Sequence, residues 1–67
     1  MHPSTRGLLR FFAFGHLPPH LQEISAPFGV LAQQVAERAP ENPETTVALR
    51  KLLEAKDCAV RAVLPAE

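Results

Sequence analysis

The last third of the chain, residues 42–64, constrains the fold most, because it is predicted to form one helix with three different faces. Asn42 is a favourable N-cap, Pro43 suits the first helical position and Glu44 complements the helix dipole. This pattern predicts a helix over 43–64 that ends at Pro65. The aliphatic face consists of Leu49, Leu53, Val60 and Val63. The second face consists of the alanines Ala48, Ala55, Ala59 and Ala62. The charged face consists of Arg50, Glu54, Asp57 and Arg61.

A chain of 67 residues forms one domain at most and does not have enough core to cover three helix faces. A domain of this size buries only about 60% of its unfolded surface. Cys58 is the only cysteine, so a disulfide within the chain is excluded. Oligomerisation is the remaining source of stability. Either the aliphatic face packs within the protomer and the alanine face packs between subunits, or the reverse. Both arrangements predict symmetric self-association.

The charged face of this helix predicts surface ion pairs. Arg50 and Glu54 are four residues apart, as are Asp57 and Arg61, and such pairs contribute about 0.2–0.5 kcal/mol each. Lys56 instead falls among the aliphatic residues. It is either a snorkelling side chain or a cation for a phosphate, and the sequence leaves both interpretations open.

An earlier helix is predicted over 18–38, opened by the two prolines at 18 and 19. Its apolar residues recur at the spacing of a buried stripe: Leu21, Ile24, Phe28, Leu31 and Val35. Pro27 lies inside the stripe. One kinked helix is favoured over a helix that begins at Ala26 with Ser25 as its cap. The break at 39–43 is short, so the two helices are expected to form an antiparallel hairpin.

Residues 1–15 are predicted to form a short N-terminal arm, with residues 1–5 frayed. The apolar run 8–14 is a helical turn or an extended segment, and its length does not separate the two. It holds all but one of the aromatic residues, which indicates that it docks on another surface.

Catalysis, metal binding and a cofactor are not expected, because no residue pattern supports them. The formal net charge is zero, which does not favour general DNA or RNA binding, and no apolar run is long enough to span a membrane. His16 and His20 are four apart but are separated by two prolines, and there is no third ligand. A lone cysteine suits a reducing compartment, most simply the cytoplasm.

Binding of a small anionic ligand is better supported. Aromatic faces stack bases and cations hold phosphates. The candidate residues combine both: Phe11, Phe12, Phe14 and His16, with Arg6, Arg10, Lys56 and Arg61. Plain core or interface packing is the other interpretation of the phenylalanines.

The chain also resembles a family of small phage proteins, the anti-CBASS sponges and the related hairpin of the anti-Thoeris sponges. The resemblance rests on Phe-Ala-Phe-Gly-His-Leu-Pro-Pro at 12–19, Leu-Ala at 31–32 and Pro-Glu-x-x-Val-Ala-Leu-Arg-Lys-Leu-Leu-Glu-Ala at 43–55, and it extends over roughly residues 11–64. It implies a hexamer of helical hairpins whose inter-protomer pockets bind cyclic di- and trinucleotides without hydrolysing them. The stacking Tyr of the family corresponds to Phe14, and its neighbouring polar residue to Gly15 or His16. A ligand-contacting lysine of the family falls near Gly29 and is missing here.

The sequence therefore predicts an all-α fold, a two-helix antiparallel hairpin with a short N-terminal arm, assembled as a symmetric oligomer. The expected function is non-catalytic sequestration of cyclic oligonucleotide messengers in the host cytoplasm. The alternative is a small helical adaptor that binds another protein and no nucleotide. The predicted ligand-binding residues are Phe11, Phe14, His16, Arg10, Lys56 and Arg61.

Overall fold

The computed structural model describes residues 3–64, which are largely helical and contain no strand. Helix α1 spans Pro3–Leu9 and leads into a 3₁₀ turn, Arg10–Phe12. Helix α2 spans Pro19–Arg38 and α3 spans Pro43–Ala62. The all-α class is confirmed. The arm, however, is itself a helix, so the described chain holds three helices rather than two.

The start of α3 follows from its local sequence. The Asn42 side chain accepts a hydrogen bond from the backbone N–H of Thr45 at 3.0 Å, and Pro43 occupies the first turn. The Thr45 hydroxyl donates to the Pro40 carbonyl at 2.5 Å and so holds the preceding loop against the helix. An N-cap of this type stabilises a helix by about 1 kcal/mol. The predicted cap is confirmed, and α3 ends at Ala62 with a turn after it.

Helix α2 is continuous through Pro27. The alternative start at Ala26 is wrong, because Ser25 already lies within the helix and is fully buried. Pro18 and Pro19 open α2 as predicted. The first turn of a helix offers no acceptor for backbone N–H groups, and proline has no N–H to leave unpaired.

The core joins three segments of the chain. Phe12 from the 3₁₀ turn, Ala32 from α2 and Leu49 from α3 form the buried cluster, with exposures of 3%, 0% and 0%. Burying a phenylalanine contributes about 1.5–3 kcal/mol. Partly buried apolar residues surround this cluster: Leu8, Leu9, Phe28, Val35, Ala36, Leu52 and Leu53. The surface on which the arm docks is therefore the hairpin of its own chain.

The face that α2 turns to the core agrees with the predicted stripe at Leu21, Phe28 and Val35 but not at Leu31. Its buried residues are Leu21, Ser25 and Ala32, whereas Leu31 is 46% exposed, so the prediction for Leu31 is wrong. The reason is the arm, whose backbone crosses α2 at Gly29. A Cβ on Gly29 would lie 3.2 Å from the Phe12 carbonyl oxygen. The small residues on this face of α2 leave room for the 3₁₀ turn to pack against the helix.

Helix α3 packs its aliphatic face within the protomer and leaves most of its alanines outside. Leu49 is fully buried, while Ala48, Ala55 and Ala62 are exposed. Val63 is an exception to the prediction, with 42% exposure, because the helix has ended before it. The aliphatic face therefore packs within the protomer, as the first of the two arrangements predicts, and the packing of the alanine face between subunits stays a prediction.

The fraying predicted for residues 1–5 is not seen from Pro3 onward, where α1 begins. Met1 and His2 lie outside the described residues, but Thr5 is buried in α1. No helix within residues 3–64 is long and apolar enough to cross a membrane.

Candidate ligand-binding cleft

A cleft of about 210 Å³ lies where the arm and the following loop meet the C-terminal half of α3. Both walls are short stretches of sequence. The lining residues are Phe11, Ala13, His16 and Leu17 from the first wall, and Lys56, Asp57, Val60 and Arg61 from the second.

Four of the six predicted ligand-binding residues line this cleft together, namely Phe11, His16, Lys56 and Arg61. The other two do not. The Arg10 guanidinium lies over the Phe11 ring, 5.4 Å from its centroid, outside the cleft. The Phe14 ring lies instead against α2, where a Cβ built on Gly29 would be 3.5 Å from it.

On the arm wall, two adjacent phenylalanines lie on opposite sides of the chain. The 3₁₀ turn directs Phe12 into the core and leaves Phe11 55% exposed at the cleft. The loop that carries His16 is held by Gln22, whose side-chain amide donates to the Leu17 carbonyl at 2.6 Å. This bond fixes the loop to the first turns of α2, so the loop wall has a defined position.

The α3 wall consists of residues 56, 57, 60 and 61, which share one helical face by their spacing. The sequence prediction missed Asp57 and Val60 as lining residues. It assigned Asp57 to a solvated ion-pair face. The signal was present, because any residue four positions after Lys56 or four before Arg61 lies beside them on the helix.

Lys56 is the most heavily engaged residue of the cleft. Its ammonium donates to the Phe11 carbonyl oxygen at 2.9 Å and lies 3.0 Å from an Asp57 carboxylate oxygen. It also lies 6.0 Å from the centroid of the Phe12 ring, and its side chain is only 13% exposed. An ammonium has three donors, so one remains for a ligand. Lys56 is therefore more than a plain snorkelling side chain, and its role as a cation for a phosphate stays a prediction.

Arg61 is held more weakly. Its guanidinium donates to the Cys58 sulfur at 3.4 Å, and a thiol is a poor acceptor. The predicted Asp57–Arg61 pair is wrong, because Asp57 contacts Lys56 instead. The predicted Arg50–Glu54 pair is also wrong, since Glu54 pairs with Lys51 at 3.6 Å. Most donors of Arg61 are thus available to a ligand in the cleft.

The lining provides one aromatic ring, one imidazole and two cations beside one carboxylate. With His16 neutral, its formal charge is one positive unit. Such a set suits an anion that also carries a flat ring, because the ring stacks on Phe11 while its charge meets Arg61 and Lys56.

Two further depressions lack this combination. One, of about 230 Å³, lies at the start of α3 and is lined by Thr5, Glu41, Asn42, Pro43 and Thr46. The other, of about 330 Å³, is an apolar groove at the end of α2, lined by Leu31, Gln34, Val35, Arg38 and Ala39. Within residues 3–64, no three His, Cys, Asp or Glu side chains are grouped closely enough to share a metal ion.

Comparison of the chain with protein-family models, with curated proteins and with solved structures finds no match.

Proposed function

We propose that this protein binds and sequesters cyclic oligonucleotide second messengers without hydrolysing them. The observation that carries the proposal is the meeting of Phe11, His16, Lys56 and Arg61 in one cleft. Phe11 and Lys56 are separated by 45 residues, so this combination is a product of the fold and not of local sequence. The resemblance to phage sponge proteins supports the same ligand class.

The size of the cleft supports a site shared between subunits. Ligand pockets usually enclose about 300–1,000 Å³, and a single protomer offers about 210 Å³. In the proposal, one protomer contacts one base and its phosphate, and a neighbouring protomer contacts the remaining nucleotides of the cyclic ligand. The exposed alanines of α3 support close packing of a second helix, and a homo-hexamer is the assembly that the resemblance implies.

Binding without catalysis is sufficient for a protein of this kind. A messenger held by the oligomer no longer reaches its receptor, and bacterial anti-phage signalling in the host cytoplasm is blocked. Sequestration requires that the protein be present in excess over the messenger and release it slowly.

The test is retention followed by intact recovery. The purified protein is mixed with a panel of cyclic di- and trinucleotides, separated from free nucleotide and then digested with protease. We expect at least one nucleotide to be retained and released with an unchanged mass. Retention of none would exclude sequestration, and recovery of a linear product would exclude a non-catalytic role.

A second candidate function, a protein-binding adaptor, is favoured by the apolar groove on α2. Leu31 and the neighbouring Val30 are 46% and 54% exposed, and neither is needed for the nucleotide site. An adaptor predicts that Leu31→Ser abolishes binding to a protein partner. It also predicts that no cyclic nucleotide raises the melting temperature.

A further inference from the structure

The hydrogen bond from Lys56 to Phe11 connects the two walls of the cleft directly. The ammonium of Lys56 is on the α3 wall, and the carbonyl that it reaches belongs to the arm wall. Asp57 holds the same ammonium from the α3 side at 3.0 Å. The Lys56 side chain is 13% exposed, and a hydrogen bond from a charged donor is stronger than one between neutral groups.

The cleft exists only while the arm is docked, because Phe11 and Ala13 form part of its lining. Docking also depends on apolar packing, because Leu8 and Leu9 pack against the core cluster and Thr5 is buried. Phe12 is buried beside Ala32 and Leu49, and the Phe12 carbonyl lies close to Gly29. The Lys56 hydrogen bond adds to this packing a polar contact at the cleft itself.

We propose that Lys56 is a positioning residue that holds the arm in its binding-competent place, so that arm docking and anion binding strengthen each other. The inference rests on the proposed function for its ligand, but the docking role of Lys56 does not. An anion in the cleft contacts both walls, and by linkage it stabilises the docked arm by the same factor by which docking improves its affinity.

The docking role is tested without ligand, by hydrogen exchange of the full chain. Lys56→Met keeps the length and apolar stem of the side chain and removes the donor. We expect about tenfold less protection over residues 8–17, with the amides of α2 and α3 unchanged as internal reference. Lys51→Met is the matched control, because Lys51 is 72% exposed and pairs with Glu54 outside the cleft. Lys56→Arg, which retains charge and donors, should restore part of the protection. Unchanged protection in Lys56→Met would overturn the proposal.

The coupling is tested with cyclic di-AMP and cyclic tri-AMP as probes. In the wild type, the probe that binds should raise protection over residues 8–17 in proportion to its excess over Kd. In Lys56→Met, the same probe should bind more weakly and dissociate faster. Protection that rises only in α3 would overturn the coupling. If neither probe binds, the proposed coupling to these ligands is wrong. Hydrogen exchange of the free protein still decides whether Lys56 holds the arm.

Discussion

Gly29 of α2 lies beneath the backbone of Phe12, and a Cβ at Gly29 would come within 3.2 Å of the Phe12 carbonyl oxygen. This close approach is where the arm crosses the hairpin. It allows the Phe12 ring to reach the core beside Ala32, and it leaves Phe11 on the outside at the cleft. A long side chain here would meet the arm.

Gly29→Leu is therefore expected to displace the arm and to destabilise the fold by about 1–3 kcal/mol, as overpacking does. The measurement is thermal unfolding followed by circular dichroism. Gly7→Ala is the matched control, because no atom lies within 4 Å of a Cβ placed there. It should leave stability unchanged or raise it by up to about 1 kcal/mol through helix propensity. Equal stability of Gly29→Leu and the wild type would contradict the described crossing.

Truncation of the adjacent residues Phe11 and Phe12 should change the stability of the protein by very different amounts. Phe12→Ala removes a side chain that is 3% exposed and should cost about 3–5 kcal/mol, enough to unfold a small domain. Phe11→Ala removes one that is 55% exposed and should change stability by less than about 0.5 kcal/mol. Its effect should appear in nucleotide binding. Urea unfolding of both variants checks the first expectation, and similar losses in the two would show that the turn is oriented differently.

Ser25 offers a stabilising substitution. Its hydroxyl is fully buried in α2 and has no hydrogen-bond partner, so Ser25→Ala should stabilise the protein by about 1 kcal/mol. Thr45 is the contrasting buried hydroxyl, because it donates to the Pro40 carbonyl. Thr45→Val keeps the side-chain shape and should destabilise by about 1 kcal/mol. Both are measured from the midpoint of urea unfolding. A loss of stability in Ser25→Ala would mean that its hydroxyl is satisfied in solution.

The exposed alanine face is tested by enlarging one of its residues. In the proposed oligomer, Ala55→Arg prevents close helix packing, so light scattering should report a smaller mass than for the wild type. Gln33→Arg adds the same charge to an exposed position of α2 and should leave the mass unchanged. A wild-type mass equal to that of one chain would contradict the shared site.

The helix starts could be predicted because they are encoded locally. The capping of α3 by Asn42 and the entry of α2 at Pro19 each depend on residues within one turn. The inward aliphatic face of α3 also follows from its own periodicity. These features required no knowledge of the rest of the chain.

The features that were missed depend on contacts far apart in sequence. The spacing of the α2 stripe predicted Leu21, Phe28 and Val35 correctly, but it did not show that the arm packs beside the small residues Ser25 and Gly29 and leaves Leu31 outside. The Glu54 ion pair was also missed, because Arg50 and Lys51 both lie within reach of Glu54 by spacing and an exposed pair contributes too little to select between them. For the candidate cleft, Phe11, His16, Lys56 and Arg61 were predicted from residue type, and only the fold shows that Arg10 and Phe14 lie outside it.

The most direct test of the central claim is calorimetric titration of the cleft with the cyclic nucleotide retained by the wild type. Arg61→Ala removes the cation whose donors are least engaged and should weaken binding by about tenfold or more. Arg50→Ala removes the same charge from an exposed position on α3 outside the cleft and should bind like the wild type. Equal affinities for all three proteins would contradict the assignment of this cleft as the nucleotide site.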